Sequence, residues 1–332
     1  MTSQSLPEGS SATFERLVAP HQSSLLAHCY RMTGSLPDAE DALQETLVRA
    51  WRAFDSFEGR SSLRTWLFRI ATNASRRVIE QRHRRMLPVD LGPASEPGGH
   101  RGEALADDIW VTPFPGTPEA SPAARYESRE SVELAFVAAL QTLPSRQRAT
   151  LLLRDVLGFS AAETAEVLDS SIASVNSALN RARRTMDTRA GDPPPDQPGV
   201  PGALVDRFVE AWVRNDVAAL VTMLAEDVEM TMPPVATWYR GRADVAEFLR
   251  LVPLAGAMAW EARDLDANGQ PGFALYSRHG DAYVAHSLNV LTFRAQRVTS
   301  IAAFLTPALF PAFGLATTLP PRGSAPRPGR PR

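Results

Sequence analysis

Two proline-rich interruptions limit what this chain can fold into. Consecutive prolines remove backbone donors and fix φ, so the run Gly191-Asp192-Pro193-Pro194-Pro195-Asp196-Gln197-Pro198 suits neither a helix nor a central strand. A longer Pro-, Gly- and Ala-rich stretch, from about Pro88 to Ala124, loses hydrophobic periodicity and reads as a linker. The chain has 332 residues, room for two or three domains at roughly 100–200 residues each. The expected division is a disordered 1–12, an all-α unit over 13–87, a linker over 88–125, a second all-α unit over 126–190, a proline-rich linker over 191–202, an α+β unit over 203–315 and a disordered Pro- and Arg-rich tail over 316–332.

Composition narrows the class. With 44% hydrophobic and 22% charged residues the chain is an ordinary globular one, which excludes global disorder. Its single cysteine, Cys29, excludes an intrachain disulfide and a cysteine metal cluster. The start carries no signal-peptide pattern and no stretch approaches ~18 apolar residues, so a soluble, cytoplasmic protein without a membrane partner is expected. A net charge of −2 argues against indiscriminate coating of nucleic acid, so basic patches must be sought by position. All 35 basic residues are arginine, a bias given no functional weight.

In the first unit Ala39, Leu43, Leu47, Ala50 and Phe54 recur on one helix face, with Asp38, Asp41 and Glu45 opposite. A second helix has the stripe Leu63, Trp66, Leu67, Ile70, Ala74 and Val78, with Thr65, Arg69, Thr72, Asn73 and Arg76 on its far side. It runs into a basic end between Arg76 and Arg85. The second unit divides into four short helices, broken at Leu143-Pro144, Gly158 and Asp169-Ser170-Ser171. Ser160-Ala161-Ala162-Glu163 is a capping-box sequence, and Ser171 caps a last helix after a tight turn, the pattern of helix-turn-helix. Beyond the proline run, Leu204 to Leu224 is helical, Val228, Met230 and Met232 alternate as a strand, Gly241 to Leu251 is helical, and three or four strands follow from Trp260 to Leu305.

The last helix of the second unit is the strongest functional candidate. If Ile172, Val175, Leu179, Ala182 and Met186 face the core, then Ala173, Ser177, Asn180, Arg181 and Arg184 are free, flanked by Asn176 and Arg183. Small polar residues followed by arginines suit base edges and phosphates in a major groove. A plain solvated face is the alternative. Solubility alone likewise accounts for the acidic face formed by Asp38, Glu40, Asp41, Gln44 and Glu45, and ordinary helix ends for the Arg76–Arg85 cluster. The loop Phe57-Glu58-Gly59-Arg60-Ser61-Ser62 is polar, as a loop enclosing an extruded base would be, yet most such loops only connect. Trp238, Tyr239, Asp264, Asp266, His279, Asp281 and His286 could line a pocket, but a strand histidine such as His286 is more often structural than catalytic. No phosphate-binding glycine motif, no zinc-protease motif and no nucleophile elbow occurs, so no catalytic residue, metal or cofactor is assigned.

Taken together, His28-Cys29-Tyr30-Arg31-Met32-Thr33-Gly34, Asp38-Ala39-Glu40-Asp41, Gln44-Glu45-Thr46 and Thr65-Trp66-Leu67-Phe68-Arg69-Ile70-Ala71-Thr72-Asn73 closely resemble region 2 of extracytoplasmic-function sigma factors. Leu143-Pro144-Ser145-Arg146-Gln147-Arg148, Leu152 to Ser160 and the helix-turn-helix through Arg184 resemble region 4 of that family. Residues from about Ala203 to Leu315 resemble the SnoaL-like cone-shaped α+β domain that a subset of these factors carries, and Trp110-Val111-Thr112-Pro113-Phe114-Pro115-Gly116 resembles that subset's linker motif.

The resemblance implies a non-enzymatic initiation factor that binds core RNA polymerase through the β′ clamp helices and the β flap, and binds promoter DNA. It implies polymerase contacts at Asp38, Glu40, Asp41, Gln44 and Glu45. It places minus-10 contacts at Glu58, Arg60, Ser61, Ser62, Arg69, Asn73, Arg76 and Arg77, where the cost of flipping a base is offset by a shaped pocket. Minus-35 contacts fall at Ser174, Asn176, Ser177, Asn180, Arg181, Arg183 and Arg184. Asn176 and Ala178 stand where the family often has basic residues, so the minus-35 contact is expected to differ. The linker, with Asp107 and Asp108, is expected to thread toward the polymerase active site and exit channel. The SnoaL-like unit is expected to modulate activity, and a small ligand for it is left open. The rival readings are a SnoaL-type small-molecule enzyme tethered to a DNA-binding module, and a helix-turn-helix regulator that works without polymerase. Promoter sequence, inducing signal and any separate anti-sigma factor are not encoded legibly in these residues.

Overall fold

The structure is a computed structural model, describing residues 8–99, 102–115, 133–188, 202–256 and 258–320, with side chains from residue 12 onward. The chain divides into two compact units, one of Met1–Leu87 with Ala106–Pro193, the other of Pro88–Leu105 with Pro194–Arg332.

The first unit opens with α1 (Glu8–Val18), where disorder through residue 12 was expected. Helices α2 (Gln22–Thr33), α3 (Leu36–Ala53) and α4 (Leu63–Gln81) then pack on one another. Gly34, at φ +73°, ends α2 in the left-handed region that glycine reaches without a Cβ penalty, and Ser35 caps α3 at once through the Asp38 amide. Ser62 caps α4 through the Thr65 amide.

The buried face of α4 is not the expected one. Leu67, Phe68, Ala71, Thr72, Ala74 and Ser75 are buried together with Thr65, while Leu63, Trp66, Ile70 and Val78 are only half-buried. Thr65 and Thr72, expected outside, face inward because their hydroxyls find partners there: Thr72 meets His28 Nε2 at 3.0 Å and Thr65 meets Ser62 at 2.8 Å.

Among the described residues four helices follow: α5 (Leu134–Leu140), α6 (Ser145–Leu151, continuing as a π-helical turn through Val156), α7 (Ala161–Val167) and α8 (Ile172–Asp187). The Ser160–Glu163 capping box is formed in both directions. Val175, Ala178, Leu179 and Ala182 carry α8 onto the core. Ile172, expected in that stripe, is 50% exposed, because the helix begins there and its first turn projects past the core.

The described part of the linker stretch, residues 88–99 and 102–115, is ordered despite its lack of periodicity, held by backbone hydrogen bonds rather than by an amphipathic face, and the rest of that stretch lies outside the described residues. In the first unit Met86 and Trp110 form a parallel bridge, Thr112 donates its amide to Gly34 O at 3.1 Å, and Phe114 stacks on Tyr30 at 4.5 Å. Trp110, Val111 and Phe114 are buried. In the second unit Trp238 Nε1 donates to Gly92 O at 3.0 Å, Ser95 N donates to Trp238 O at 2.8 Å, and Leu105 N donates to Pro234 O at 2.9 Å.

The second unit folds as α9 (Gly202–Val213), α10 (Val217–Met223), β1 (Leu224–Thr231), β2 (Trp238–Arg240), α11 (Arg242–Leu251), β3 (Trp260–Ala267), β4 (Gln270–His279), β5 (Ala282–Arg294), β6 (Arg297–Phe304) and β7 (Thr318–Leu319). The sheet order is β2-β1-β6-β5-β4-β3, parallel only between β1 and β6, and β7 pairs with β5 where tail disorder was expected from 316. Phe208, Trp212, Met230, Tyr239, Phe248, Phe273 and Leu291 fill the core between helices and sheet.

His28 supplies a pH test of the first unit. Burial first, then the Arg31 guanidinium, push its imidazole from 6.5 down to about 3. The unfolded chain therefore binds a proton between those values that the folded chain refuses, and stability is complete above the unfolded value and lost as pH falls. Lowering pH from 7 to 5 is expected to cost about 2 kcal/mol at ~1.4 kcal/mol per pH unit, and His28→Leu is expected to flatten that dependence in denaturant titrations of the full chain.

Candidate nucleic-acid and partner interface

Helix α3 presents Glu40, Asp41 and Gln44 to solvent, with Glu45 half-buried beside them. Burial first, then Asp41, raise the pKa of Glu40, so Glu40 is less readily charged than an isolated carboxylate. Asp38 does not belong to it. It is only 5% exposed, its Oδ2 accepts from Arg85 Nη2, and Arg82 lies 3.9 Å from its other oxygen. Arg85 in turn is buried and donates to the carbonyls of Asp107 and Trp110, at 3.2 and 3.1 Å. The Asp38–Arg85 pair is thus a structural clamp between α3, the segment after α4 and the Trp110 motif. This removes Asp38 from the partner face and Arg85 from the basic end, because neither side chain reaches solvent.

The second face lies on α4 and the loop before it. Arg69 and Arg77 are exposed and Asn73 and Arg76 half-exposed, all on one side at spacings of three and four. The loop is pinned by Phe57 against Trp66, rings 4.9 Å apart, which leaves Glu58, Arg60 and Ser62 exposed and Ser61 half-exposed. Ser62 already spends its hydroxyl on the α4 cap. Glu58 and Arg60 pair with each other at 2.9 Å, and Arg77 pairs with Glu45 at 3.3 Å. Exposed pairs of this kind contribute ~0–1 kcal/mol, so both arginines can exchange partners cheaply.

The third face is the outer side of α8. Asn176, Ser177, Asn180, Arg181, Arg183 and Arg184 are exposed, and Ser174 half-exposed in the first turn, where its amide donates to the Ser171 cap. Arg183 is held by a two-pronged bond to Asp155, at 2.9 and 2.7 Å, which raises its pKa further and ties α8 to the π-helical end of α6. The tight turn before α8 passes through Asp169 at φ +48°. Arginines beyond small polar residues, on a helix whose other side is locked to its domain, can reach phosphates and base edges together.

Two residues without an assigned role prove central. Arg148 is buried under α2, and Arg64 lies with its guanidinium 4.0 Å over Phe159. Arg148 stood inside the quoted region 4 motif, and its signal was an arginine at core spacing, three and four residues before Leu151 and Leu152. In the second unit Asp264 is exposed, whereas His286 lies at a β4–β5 register shift, edge-on to Trp260 at 5.0 Å, its pKa lowered by burial first and then by His279. Among the described residues no helix is long and apolar enough to cross a membrane, and no three His, Cys, Asp or Glu residues are placed to hold a metal.

The ECF RNA polymerase sigma factor SigG of Mycobacterium tuberculosis is 44% identical over 315 residues, covering 92% of this chain and 85% of that protein. The chain is an extracytoplasmic-function sigma factor. Its residues 17–85 match Sigma-70 region 2, residues 133–186 match Sigma-70 region 4, and residues 205–301 match the SnoaL-like domain. The RNA polymerase sigma-H factor of Pseudomonas aeruginosa is 30% identical over 54% of this chain and 86% of its own length. In fold, the sigma factor is similar to the crystal structure of the Mycobacterium tuberculosis extracytoplasmic function sigma factor SigJ, with TM-score 0.60, 22% identity and coverage of 91% of this chain and 99% of that one. Helical region 2 and region 4 folds followed by an α+β domain are therefore the architecture of this sigma factor.

The clamp at Asp38 separates structure from recognition. Arg85→Ala leaves a buried carboxylate without its partner and is expected to cost about 3–5 kcal/mol of unfolding free energy. Asp41→Ala on the open face is expected to stay within ~0.5 kcal/mol in the same denaturant titration.

Proposed function

We propose that this sigma factor binds core RNA polymerase, places it on a two-element promoter and helps to open the minus-10 region. The observation that carries this reading is the outer side of α8, a capped helix-turn-helix surface with Asn176, Ser177, Asn180, Arg181 and Arg184 all exposed and free of the domain core. Region 4 reads the minus-35 element with this side. Region 2 captures the minus-10 strand with Arg69, Asn73, Arg76, Arg77 and the loop holding Glu58, Arg60, Ser61 and Ser62. Glu40, Asp41, Gln44 and Glu45 face the β′ clamp helices, and the β flap engages region 4. Asp38 serves this docking only by fixing α3.

The SnoaL-like domain modulates activity through the chain between regions 2 and 4. Gly92, Ser95, Ala104 and Leu105 are tied to it by the Trp238, Pro234 and Val235 backbone and by the Trp238 indole. A linker with one end held in this way has less freedom to thread through polymerase.

Arg181→Ala is expected to weaken region 4 binding across all DNA sequences and to reduce the slope of log affinity against log salt by about 1, while Asn180→Ala shifts base preference by about 1–3 kcal/mol at one position. Run-off transcription with purified core polymerase tests the whole. Output is expected from the full chain and higher output from a chain ending at Asp192. Absence of initiation on every genomic fragment overturns the reading, and unchanged output with unchanged polymerase affinity after truncation overturns modulation alone.

A further inference from the structure

Among the described residues the most exposed large apolar side chain is Ile172, at 50%, and it stands at the leading end of α8. Its setting is fixed by hydrogen bonds on both sides. Ser171 caps the helix by accepting from the Ser174 amide at 3.2 Å. The turn before it is closed by the Asp169 amide on Glu166 O at 3.3 Å and the Ser170 amide on Ala165 O at 2.9 Å. Ile172 therefore does not hang from a frayed end. A β-branched side chain in a helix has one strongly preferred χ1, so its exposed methyl groups hold one direction, and little entropy remains to be lost when they are covered.

The neighbours of Ile172 limit what can cover it. From Ser170 to Asn180 no side chain carries a charge, and the outward side changes character along the helix. Ile172 and Ala173 come first and are apolar, Asn176, Ser177 and Asn180 follow as uncharged polar groups, and Arg181 and Arg184 add cations, all of them exposed. At ~1.5 Å rise per residue the two arginines lie ~14 and ~18 Å behind Ile172. The major groove is ~8.5 Å deep. A helix that enters it obliquely, leading end first, sets these arginines level with the phosphates when Ile172 reaches the base edges. On those edges the apolar group is the C5-methyl of thymine. An isoleucine gains contact area from that methyl, whereas against a G·C pair it desolvates polar groups without replacing their hydrogen bonds.

We propose that Ile172 is a specificity-determining residue of region 4, which reads the C5-methyl of one thymine in the minus-35 element by apolar contact. The assignment deepens the promoter reading given above and rests on it.

The test isolates the methyl group from the rest of the base pair. Uracil pairs with adenine as thymine does and lacks only that methyl. Each minus-35 thymine, on either strand, is therefore replaced in turn by deoxyuridine in a synthetic duplex of a fragment from which the full chain initiates with core polymerase. The readout is the concentration of sigma factor that gives half-maximal run-off output. At one position deoxyuridine is expected to raise it about fourfold, the effect of leaving one methyl-sized group in water. Ile172→Ala is expected to raise it by a similar factor on the thymine template and to show no further response to deoxyuridine at that position, while its responses at the other positions persist. Ile172→Val, which keeps a β-branched apolar side chain, is expected to retain discrimination between thymine and uracil there. An Ile172→Ala protein that is unaffected, or weakened by the same factor on thymine and deoxyuridine templates, overturns the proposal. So does a minus-35 element in which no deoxyuridine changes the output. If the unaltered protein initiates on no fragment, the promoter reading has failed instead.

Discussion

Helix α2 stops at Gly34, and the donors required by its final carbonyls organise the first unit. Thr33 returns its own hydroxyl to Cys29 O at 2.9 Å, and the Gly34 amide takes Tyr30 O at 2.7 Å. Gln141 and Arg148 reach Arg31 and Met32 from region 4, and the Gly34 carbonyl receives Thr112 from the linker motif. Three stretches far apart in sequence therefore meet at one helix terminus, because buried backbone groups must be paired somewhere. The left-handed turn at Gly34 makes this possible by ending the helix without a side chain in the way of Gln141.

Periodicity and punctuation made the elements legible, whereas long-range pairing decided what was hidden. The proline breaks, the capping box at Ser160 and the change of period beyond the second break foretold helical units followed by a meander, and those elements are present. The outer side of α8 was also readable, since apolar spacing alone leaves Asn180, Arg181 and Arg184 outside. Asp38 was misread because a helical wheel shows where a side chain points and not what lies opposite it, here Arg85, 47 positions later. Thr72 was misread for the same reason, its partner being His28. The linker kept its order hidden because its bonds are backbone bonds, which no side-chain pattern announces.

The exposed arginines of the second and third faces share an economy. Arg60, Arg77 and Arg183 each rest on a nearby carboxylate in the absence of nucleic acid. Such pairs keep long side chains in a narrow set of rotamers while adding little stability, so an incoming phosphate meets a cation already extended. The buried arginines behave differently. Arg85 and Arg148 are surrounded by carbonyl oxygens or a carboxylate inside the protein and act as mortar between segments.

The tie between residues 92–105 and the SnoaL-like unit bears on how such a chain can be inherited. That unit enters the sequence twice, once between regions 2 and 4 and once after the proline run. A recombination event at the proline run would transplant the cone while leaving behind the strand of linker that Trp238, Pro234 and Val235 hold. A foreign domain grafted there would meet a linker cut for another partner. The C-terminal domain is thus interleaved in sequence with the sigma core rather than appended to it.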